Sequence, residues 1–212
     1  MIKRKPRNDI KFNGLQKLSI RQIIANELII RKIKCFLDFW GNGEMYRFCK
    51  KLGIKIFSID NGSDFVHLPK ERKALKKILT GYKDRAYMSL KQLCKTKSLF
   101  DGFWLDYCGP LGKKVWKDLE LLPNIMADKG ILFITFQEGH ERLLPAGTDR
   151  RVIDIVYGNV TETVFRKMGI KTKEIFKYRY ISKPDYGSRK KLNGTPMITI
   201  GLTWQKINTK HK

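Results

Sequence analysis

Short apolar runs and helical patterns alternate along most of the chain. Runs of β-branched and aromatic residues begin at Cys35, Ile54, Phe100 and Gly130, and each has the length of a buried strand. Residues 111–128, between the last two runs, carry apolar residues at helical spacing. This alternation predicts an α/β fold in which a mostly parallel sheet has helices on both faces.

The last part of the chain has a different pattern. A helix is predicted at about residues 152–167, and two alternating segments follow it at residues 175–181 and 197–205. Two neighbouring strands without a helix between them must run antiparallel. We therefore expect a C-terminal antiparallel hairpin in the sheet.

The residues before the first strand are expected to lie outside this domain. Residues 1–14 are polar and basic, whereas Leu15–Ile30 has the amphipathic pattern of a helix. We divide the chain into a basic N-terminal segment with a leading helix (1–33), one domain (34–205) and a basic tail (206–212). With 212 residues and 42% hydrophobic content, the chain can bury one substantial core.

The first strand runs into a turn that contains two glycines. Asp38 and Phe39 lie near the end of the apolar run, and Gly41, Asn42 and Gly43 follow before a predicted helix. Because glycine has no side chain, a ligand can approach the backbone closely at such a turn.

The second strand ends at an acidic residue. Asp60 follows the apolar run, and Asn61 comes next. A carboxylate at this strand tip can accept hydrogen bonds from ribose hydroxyls. Together with the glycine turn, this placement predicts a nucleotide site.

The spacing of the glycines indicates which nucleotide cofactor is bound. A dinucleotide site needs a third glycine, but Tyr46 occupies that position. The remaining pattern, an acidic residue and then G-x-G, resembles motif I of the class I S-adenosylmethionine-dependent methyltransferases, whose cofactor has no phosphate for a helix end to bind. The resemblance covers residues 34–205. It implies a Rossmann-like sheet of seven strands, with the third strand near residues 85–93 before a linker at 94–99.

The same resemblance implies S-adenosylmethionine as the cofactor. Two positions are open for the leading helix. In this family such a helix commonly packs beside the cofactor cleft, and the alternative is a helix that covers the edge of the sheet. We favour the simpler interpretation that the helix only covers the sheet edge. The implied cofactor-binding residues are Asp38, Phe39, Gly41, Asn42, Gly43, Asp60, Asn61 and Asp106.

The run that begins at Phe100 resembles motif IV of this family. It ends in Asp106 and Tyr107, followed by Cys-Gly-Pro. In the enzymes that methylate base amines, a D/N-P-P-Y/W sequence lies here; its first residue accepts the amine protons and its aromatic ring stacks on the base. The resemblance therefore implies that Asp106 and Tyr107 are catalytic, although the Pro-Pro pair is absent.

Two other chemistries stay open at this position. Cys108 lies near the place of the nucleophile in C5-cytosine enzymes, but it does not follow a proline, and a small packing residue is the alternative. Ribose 2′-O-methylation uses a Lys-Asp-Lys-Glu set, for which Lys17, Asp106 and Glu174 are candidates. No candidate exists for the second lysine.

Net charge points to an acidic partner. Lys and Arg number 44 against 20 Asp and Glu, a formal net charge of +24 that exceeds what solubility requires. The excess is greatest in residues 1–34 and 166–191, each with ten basic and two acidic residues. We expect nucleic acid as the partner, and the alternative is a lysine-rich composition without a binding role. The candidate contacts are Lys3, Arg4, Lys5, Arg7, Lys177, Arg179, Arg189, Lys190 and Lys191.

The strand at residues 175–181 has aromatic and basic residues in alternation. Phe176, Tyr178 and Tyr180 fall on one face, and Lys177 and Arg179 on the other. Such an aromatic face can stack on single-stranded nucleic acid. We expect instead that the aromatic side chains pack in the core and that the two basic side chains are exposed.

Apolar runs and cysteines bear on the location of the protein. No run approaches the length of a membrane span, so we expect an intracellular, cytoplasmic protein that does not bind membrane. The four cysteines have no C-x-x-C spacing, which predicts reduced thiols and no metal site. A non-enzymatic nucleic-acid-binding protein and a protein or small-molecule methyltransferase are the alternative functions. The choice between DNA and RNA, the methylated atom and the oligomeric state stay open.

Overall fold

A computed structural model describes residues 15–39, 44–59, 85–107, 113–137, 165–182 and 195–207 of the chain. Within these ranges, four helices and six strands form one α/β unit. The helices are α1 (Leu15–Ile30), α2 (Glu44–Lys51), α3 (Arg85–Lys95) and α4 (Lys113–Leu121). The strands are β1 (Cys35–Phe39), β2 (Lys55–Ile59), β3 (Phe100–Asp106), β4 (Met126–Gln137), β5 (Ile170–Ser182) and β6 (Thr195–Lys206).

The six strands form a single sheet in the order β2-β1-β3-β4-β6-β5. β1 runs parallel to β2 and β3, and β3 runs parallel to β4. β6 is antiparallel to both of its neighbours, β4 and β5. The predicted fold class and its C-terminal antiparallel hairpin are therefore confirmed, with six strands in the described residues where seven were expected.

The predicted third strand near residues 85–93 is wrong, because Arg85–Lys95 is a helix. Its buried residues Leu90 and Leu93 are three positions apart and lie in one apolar cluster with the sheet. The expected linker at 94–99 accordingly loses its first two residues to α3.

The predicted helix at residues 111–128 is too long. α4 ends at Leu121, and a short 3-10 turn at Leu122–Asn124 carries Pro123 near its start. Proline lacks the N–H that a continuing helix needs. The chain then turns directly into β4 at Met126. Most of the helix predicted at 152–167 lies outside the described residues.

Helices cover both faces of the sheet. On one face, α3 and α4 bury Leu90 and Leu119 against residues such as Phe103. On the other face, α1 and α2 bury Ile24 and Met45 in a second apolar cluster. The molecule therefore has three layers, with the sheet in the middle.

The leading helix α1 lies on a face of the sheet toward the β5 edge. Ile20, Ile24 and Leu28 are almost completely buried in the cluster that also contains Phe133 of β4 and Tyr180 of β5. The helix thus covers much more than an edge. Residues at spacings of four carry this contact, as the amphipathic pattern predicted.

Gly130 lets β4 lie close to the backbone of Asp101 in β3 and to the ring of Trp204 in β6. A Cβ atom at this position would lie 2.1 Å from the backbone carbonyl oxygen of Asp101 and 2.3 Å from the ring of Trp204. A backbone oxygen inside a sheet cannot move aside without breaking the strand pairing. The position therefore excludes every side chain.

We expect Gly130→Ala to lower the free energy of unfolding by about 2 to 4 kcal/mol through overpacking. Urea denaturation measures this loss. The control is Gly53→Ala, where the added Cβ meets open space and only the positive φ of 70° strains the backbone, at about 1 kcal/mol. Equal losses in the two variants would contradict the steric explanation.

Candidate functional site

The candidate site lies at the carboxyl ends of β1 and β3. β1 has β2 on one side and β3 on the other, so the chain leaves β1 in one direction and returns on the opposite side. In open α/β sheets this reversal of strand order is the place where ligands bind. Asp38 and Phe39 lie at the end of β1, and Asp106 ends β3.

Asp38 is a buried acid between two neighbouring strands. It is aligned with Ser58 of β2 and with Trp104 of β3, and only 1% of it is exposed. The Ser58 hydroxyl donates a hydrogen bond to Oδ1 of Asp38. Its other oxygen, Oδ2, has no hydrogen-bond partner among the described residues. A buried acceptor without a donor is costly in free energy and is typical of ligand sites.

Burial raises the pKa of Asp38 from 3.8 to about 7. The hydrogen bond from Ser58 acts in the opposite direction, and the charge of Asp106 raises the pKa further. Cys49 of α2 also interacts with Asp38. The pKa of its thiol is raised to about 12, first by burial and then by the charge of Asp38. Asp38 therefore changes its protonation near neutral pH.

Tyr107, directly after β3, is fixed by contacts on both sides. Its hydroxyl donates a hydrogen bond of 3.0 Å to Oδ2 of Asp118 on α4. Its ring meets the ring of Phe39 edge to face, with 5.0 Å between the centroids. Burial, followed by the charge and hydrogen bond of Asp118, raises the pKa of Tyr107 well above 10, so the phenol stays protonated.

A chain of buried hydroxyl groups lies beside Asp106. The indole N–H of Trp104 donates to Oγ1 of Thr135 at 3.0 Å, and Thr135 shares a hydrogen bond of 2.8 Å with Thr199. Thr135 is aligned with Asp106 across β3 and β4. These bonds join β3, β4 and β6 at the level of the site, which restrains the end of β3.

An ion pair links α1 to the start of α2. The guanidinium of Arg21, which is 9% exposed, contacts the carboxylate of Glu44. Glu44 is the first residue of α2, directly after the Gly-Asn-Gly sequence. Sequence analysis missed this pair because 23 residues separate its members and no periodic pattern connects them. α1 therefore packs over the sheet and also contacts α2.

The structure places four of the predicted site residues at the same end of β1 and β3, in two pairs: Asp38 with Asp106, and Phe39 with Tyr107. Other predicted positions lie outside the described residues, and their roles stay predictions. These are Lys3, Arg4, Lys5, Arg7, Gly41, Asn42, Gly43, Asp60, Asn61, Cys108, Arg189, Lys190 and Lys191.

The ribose-methylation set is not assembled around the candidate Glu174. This residue lies on β5, which β4 and β6 separate from the β3 strand of Asp106. Glu174 instead forms an ion pair with Lys177 at 3.2 Å. The side chain of Lys17 is not described.

The packing of the aromatic strand is as predicted. Phe176, Tyr178 and Tyr180 pack against the cluster under α1, and Lys177 and Arg179 are exposed on the opposite face. A bulge between Glu174 and Phe176 reverses the alternation within β5. Lys177 and Arg179 lie four strands from β1, so they do not line the candidate site.

Two further kinds of site are absent from the described residues. These residues contain no cluster of three His, Cys, Asp or Glu side chains arranged to hold a metal. Cys35, Cys49 and Cys94 are free thiols. In the same residues, no helix combines the length and hydropathy of a membrane span.

No protein-family model and no curated protein sequence matches this chain. A proposed O-methyltransferase from Klebsiella pneumoniae is similar in structure, with 13% identity, a TM-score of 0.55 and coverage of 89% of this chain and 80% of that chain. The plantazolicin methyltransferase BamL, crystallised with a triazolic desmethylPZN analog and SAH, has 12% identity, a TM-score of 0.53 and coverage of 95% and 88%. A proposed RNA methyltransferase from Pyrococcus horikoshii has 12% identity, a TM-score of 0.52 and coverage of 97% and 94%.

The chain therefore has the fold of the class I S-adenosylmethionine-dependent methyltransferases, as motifs I and IV implied. One fold supports many functions, so the chemistry has to be argued from the site.

The raised pKa of Asp38 predicts a specific dependence of stability on pH. Because the folded protein holds this proton more tightly than the unfolded chain, stability falls as pH rises from about 4 to about 7. In Asp38→Asn, the loss in free energy of unfolding over this pH range should be smaller by as much as about 4 kcal/mol. Urea denaturation across the range measures it, with the exposed Asp128→Asn as control. Parallel pH profiles for the parent and Asp38→Asn proteins would exclude a neutral buried acid.

The contact between Tyr107 and Asp118 should stabilise the end of β3. Tyr107→Phe removes one donor from a carboxylate that is 3% exposed, and we expect a loss of about 1 to 3 kcal/mol. A double-mutant cycle with Asp118→Ala, which removes the acceptor, followed by thermal and urea unfolding, isolates the pair. Additive effects of the two changes would show that the hydrogen bond contributes nothing.

Proposed function

We propose that this protein is an S-adenosylmethionine-dependent methyltransferase that acts on nucleic acid. The observation that carries the proposal is the buried Asp38 at the strand reversal, next to β3 with Asp106 at its end, in a sheet with the methyltransferase order of strands. The sequence after β1 contains the G-x-G pattern, whose glycines would let a cofactor lie close to the backbone.

The residues present fit this cofactor. Oδ2 of Asp38 is a buried acceptor that no described residue satisfies, so it can take a hydrogen bond from a ligand donor. S-Adenosylmethionine would supply a methyl group already activated on a sulfonium. The residues that would hold it are Asp38, Phe39, Gly41, Asn42, Gly43, Asp60, Asn61 and Asp106.

The chain itself would hold the acceptor and receive its proton. The carboxylate of Asp106, partly buried at the tip of β3, would accept the proton that the attacking group releases. The edge-to-face rings of Phe39 and Tyr107 lie at the same end of the strands and pack with the apolar cluster under α3 and α4. Because Asp118 fixes Tyr107, these rings would hold the end of β3 in place and keep Asp106 aligned.

The excess of basic residues supports nucleic acid as the substrate. The formal net charge of +24 favours a polyanion over a small neutral acceptor. Exposed Lys177 and Arg179 are candidate contacts, together with Lys3, Arg4, Lys5, Arg7, Arg189, Lys190 and Lys191 of the chain. One structural relative is a proposed RNA methyltransferase, whereas another is the plantazolicin methyltransferase.

Transfer of a labelled methyl group to pools of DNA, RNA and protein tests the proposal. Asp106→Asn keeps the shape and one oxygen acceptor of the side chain, so we expect the variant to retain most of its affinity for the cofactor in calorimetry and to lose turnover by about 10²- to 10⁴-fold, the scale of general base catalysis. The control is Asp128→Asn, the same change at an exposed position of β4.

Each outcome separates one part of the proposal. Full turnover by Asp106→Asn would remove this residue from catalysis. Methyl transfer to protein alone would replace the substrate class. Binding of nucleic acid without affinity for the cofactor would indicate a binding protein with a methyltransferase fold.

A further inference from the structure

The edge of the sheet opposite the candidate site is densely basic. α1, α2 and α3 all end there, and β1 to β5 begin there. We call this edge the amino-end rim and define it by its exposed basic residues. They are Arg31, Lys32, Lys34, Lys51, Lys55, Lys95, Lys97, Lys129, Lys171 and Lys173.

The lysines of the rim cross the whole width of the sheet. Lys34 and Lys55 are neighbours, because the backbone N–H of Lys55 donates to the carbonyl of Lys34 at 2.9 Å. At the other side, Lys129 of β4 and Lys171 of β5 are both aligned with Gln205 of β6, which lies between them. Six strands at about 4.8 Å spacing give a row of about 24 Å.

Two acidic side chains at this edge make hydrogen bonds. The carboxylate of Asp101 accepts the backbone N–H groups of Lys34 and Cys35 at 2.9 and 2.7 Å. Glu27 accepts a hydrogen bond of 2.8 Å from Arg31. Two further acids, Glu120 and Asp128, are exposed, so the ten basic residues of the rim outnumber the acidic ones in the described part of this edge.

Helix ends account for only some of the basic residues of the rim. Helix dipoles favour basic residues at helix C-termini such as Lys51, but they do not account for Lys129, which lies on a strand.

We propose that the amino-end rim binds the phosphate backbone of nucleic acid, as a contact surface separate from the transfer site. An extended row of exposed lysines suits a polymer of phosphates, whereas a small anion needs converging donors in a pocket. The exposed aliphatic residues at this edge belong to separate parts of the chain: Ile30 ends α1, Leu99 directly precedes β3 and Ile207 directly follows β6. They form no single amphipathic helix of the kind that inserts into lipid.

This surface extends the proposed function without depending on methyl transfer. The rim and the candidate site lie at opposite ends of the strands, so one segment of substrate cannot lie flat on both. A nucleic acid that reaches Asp106 would have to pass around the sheet, or a second segment would occupy the rim. The rim would then add affinity for long substrates and little for short ones.

The test compares two double variants with the same change in charge. Lys34→Gln/Lys55→Gln alters the rim, and Lys91→Gln/Lys117→Gln alters exposed lysines within α3 and α4. Fluorescence anisotropy with long and short labelled oligonucleotides, without cofactor, measures affinity across a salt series. Vesicles containing phosphatidylserine form a second arm, and thermal unfolding confirms that all variants are folded.

We expect the rim variant to flatten the log-log salt slope for long oligonucleotides by about 1.4 to 1.8 and to lower affinity at least tenfold near 0.1 M salt, as for two lost phosphate contacts. The helix variant should change both values much less. Equal effects of the two variants, or no effect of either, would overturn the proposal, as would a loss confined to vesicles. Repeating the rim change in an Asp106→Asn background should give the same loss of binding, which separates this surface from the transfer chemistry.

Discussion

A carboxyl group inside a parallel sheet must be neutralised or hydrogen-bonded, and Asp38 meets this requirement in the interior of the molecule. Ser58 of β2 donates to one of its oxygens, and the pKa is raised to about 7. Both conditions require β1 to lie between β2 and β3 in its observed register. The strand order of the core and the chemistry of the site are thus set by the same pairing.

The pattern of the sequence predicted the elements whose signal is local. β1, β2 and β3 are continuous apolar runs that end at turns, so their carboxyl ends and the proximity of Asp38 and Asp106 could be inferred without coordinates. The C-terminal hairpin was predictable because two alternating segments follow each other directly. Pro123 is a local signal for the end of α4 that the predicted helix at 111–128 did not take into account.

Other features depend on packing that no local pattern contains. The prediction of a strand at the position of α3 was wrong, because its short apolar pattern is compatible with a helix or a strand. Only the contacts of Leu90 and Leu93 with the sheet decide between them. The ion pair of Arg21 with Glu44 and the hydrogen bond of Tyr107 to Asp118 require helices to lie in particular places on the sheet. The row of lysines at the amino-end rim likewise appears only after the chain has folded, because it collects residues from separate turns and strands.

The position of β5 has a consequence for the behaviour of the protein in concentrated solution. In the described sheet this strand has a neighbour on one side only, and its 13 residues offer unpaired backbone groups to another chain. Lys171 and Lys173, before the bulge, point to one face of the sheet. Lys177 and Arg179, after the bulge, point to the opposite face. Two such edges approaching each other would bring like charges together on both surfaces, which opposes edge-to-edge aggregation. The bulge thereby protects both sides of one strand with a single irregularity.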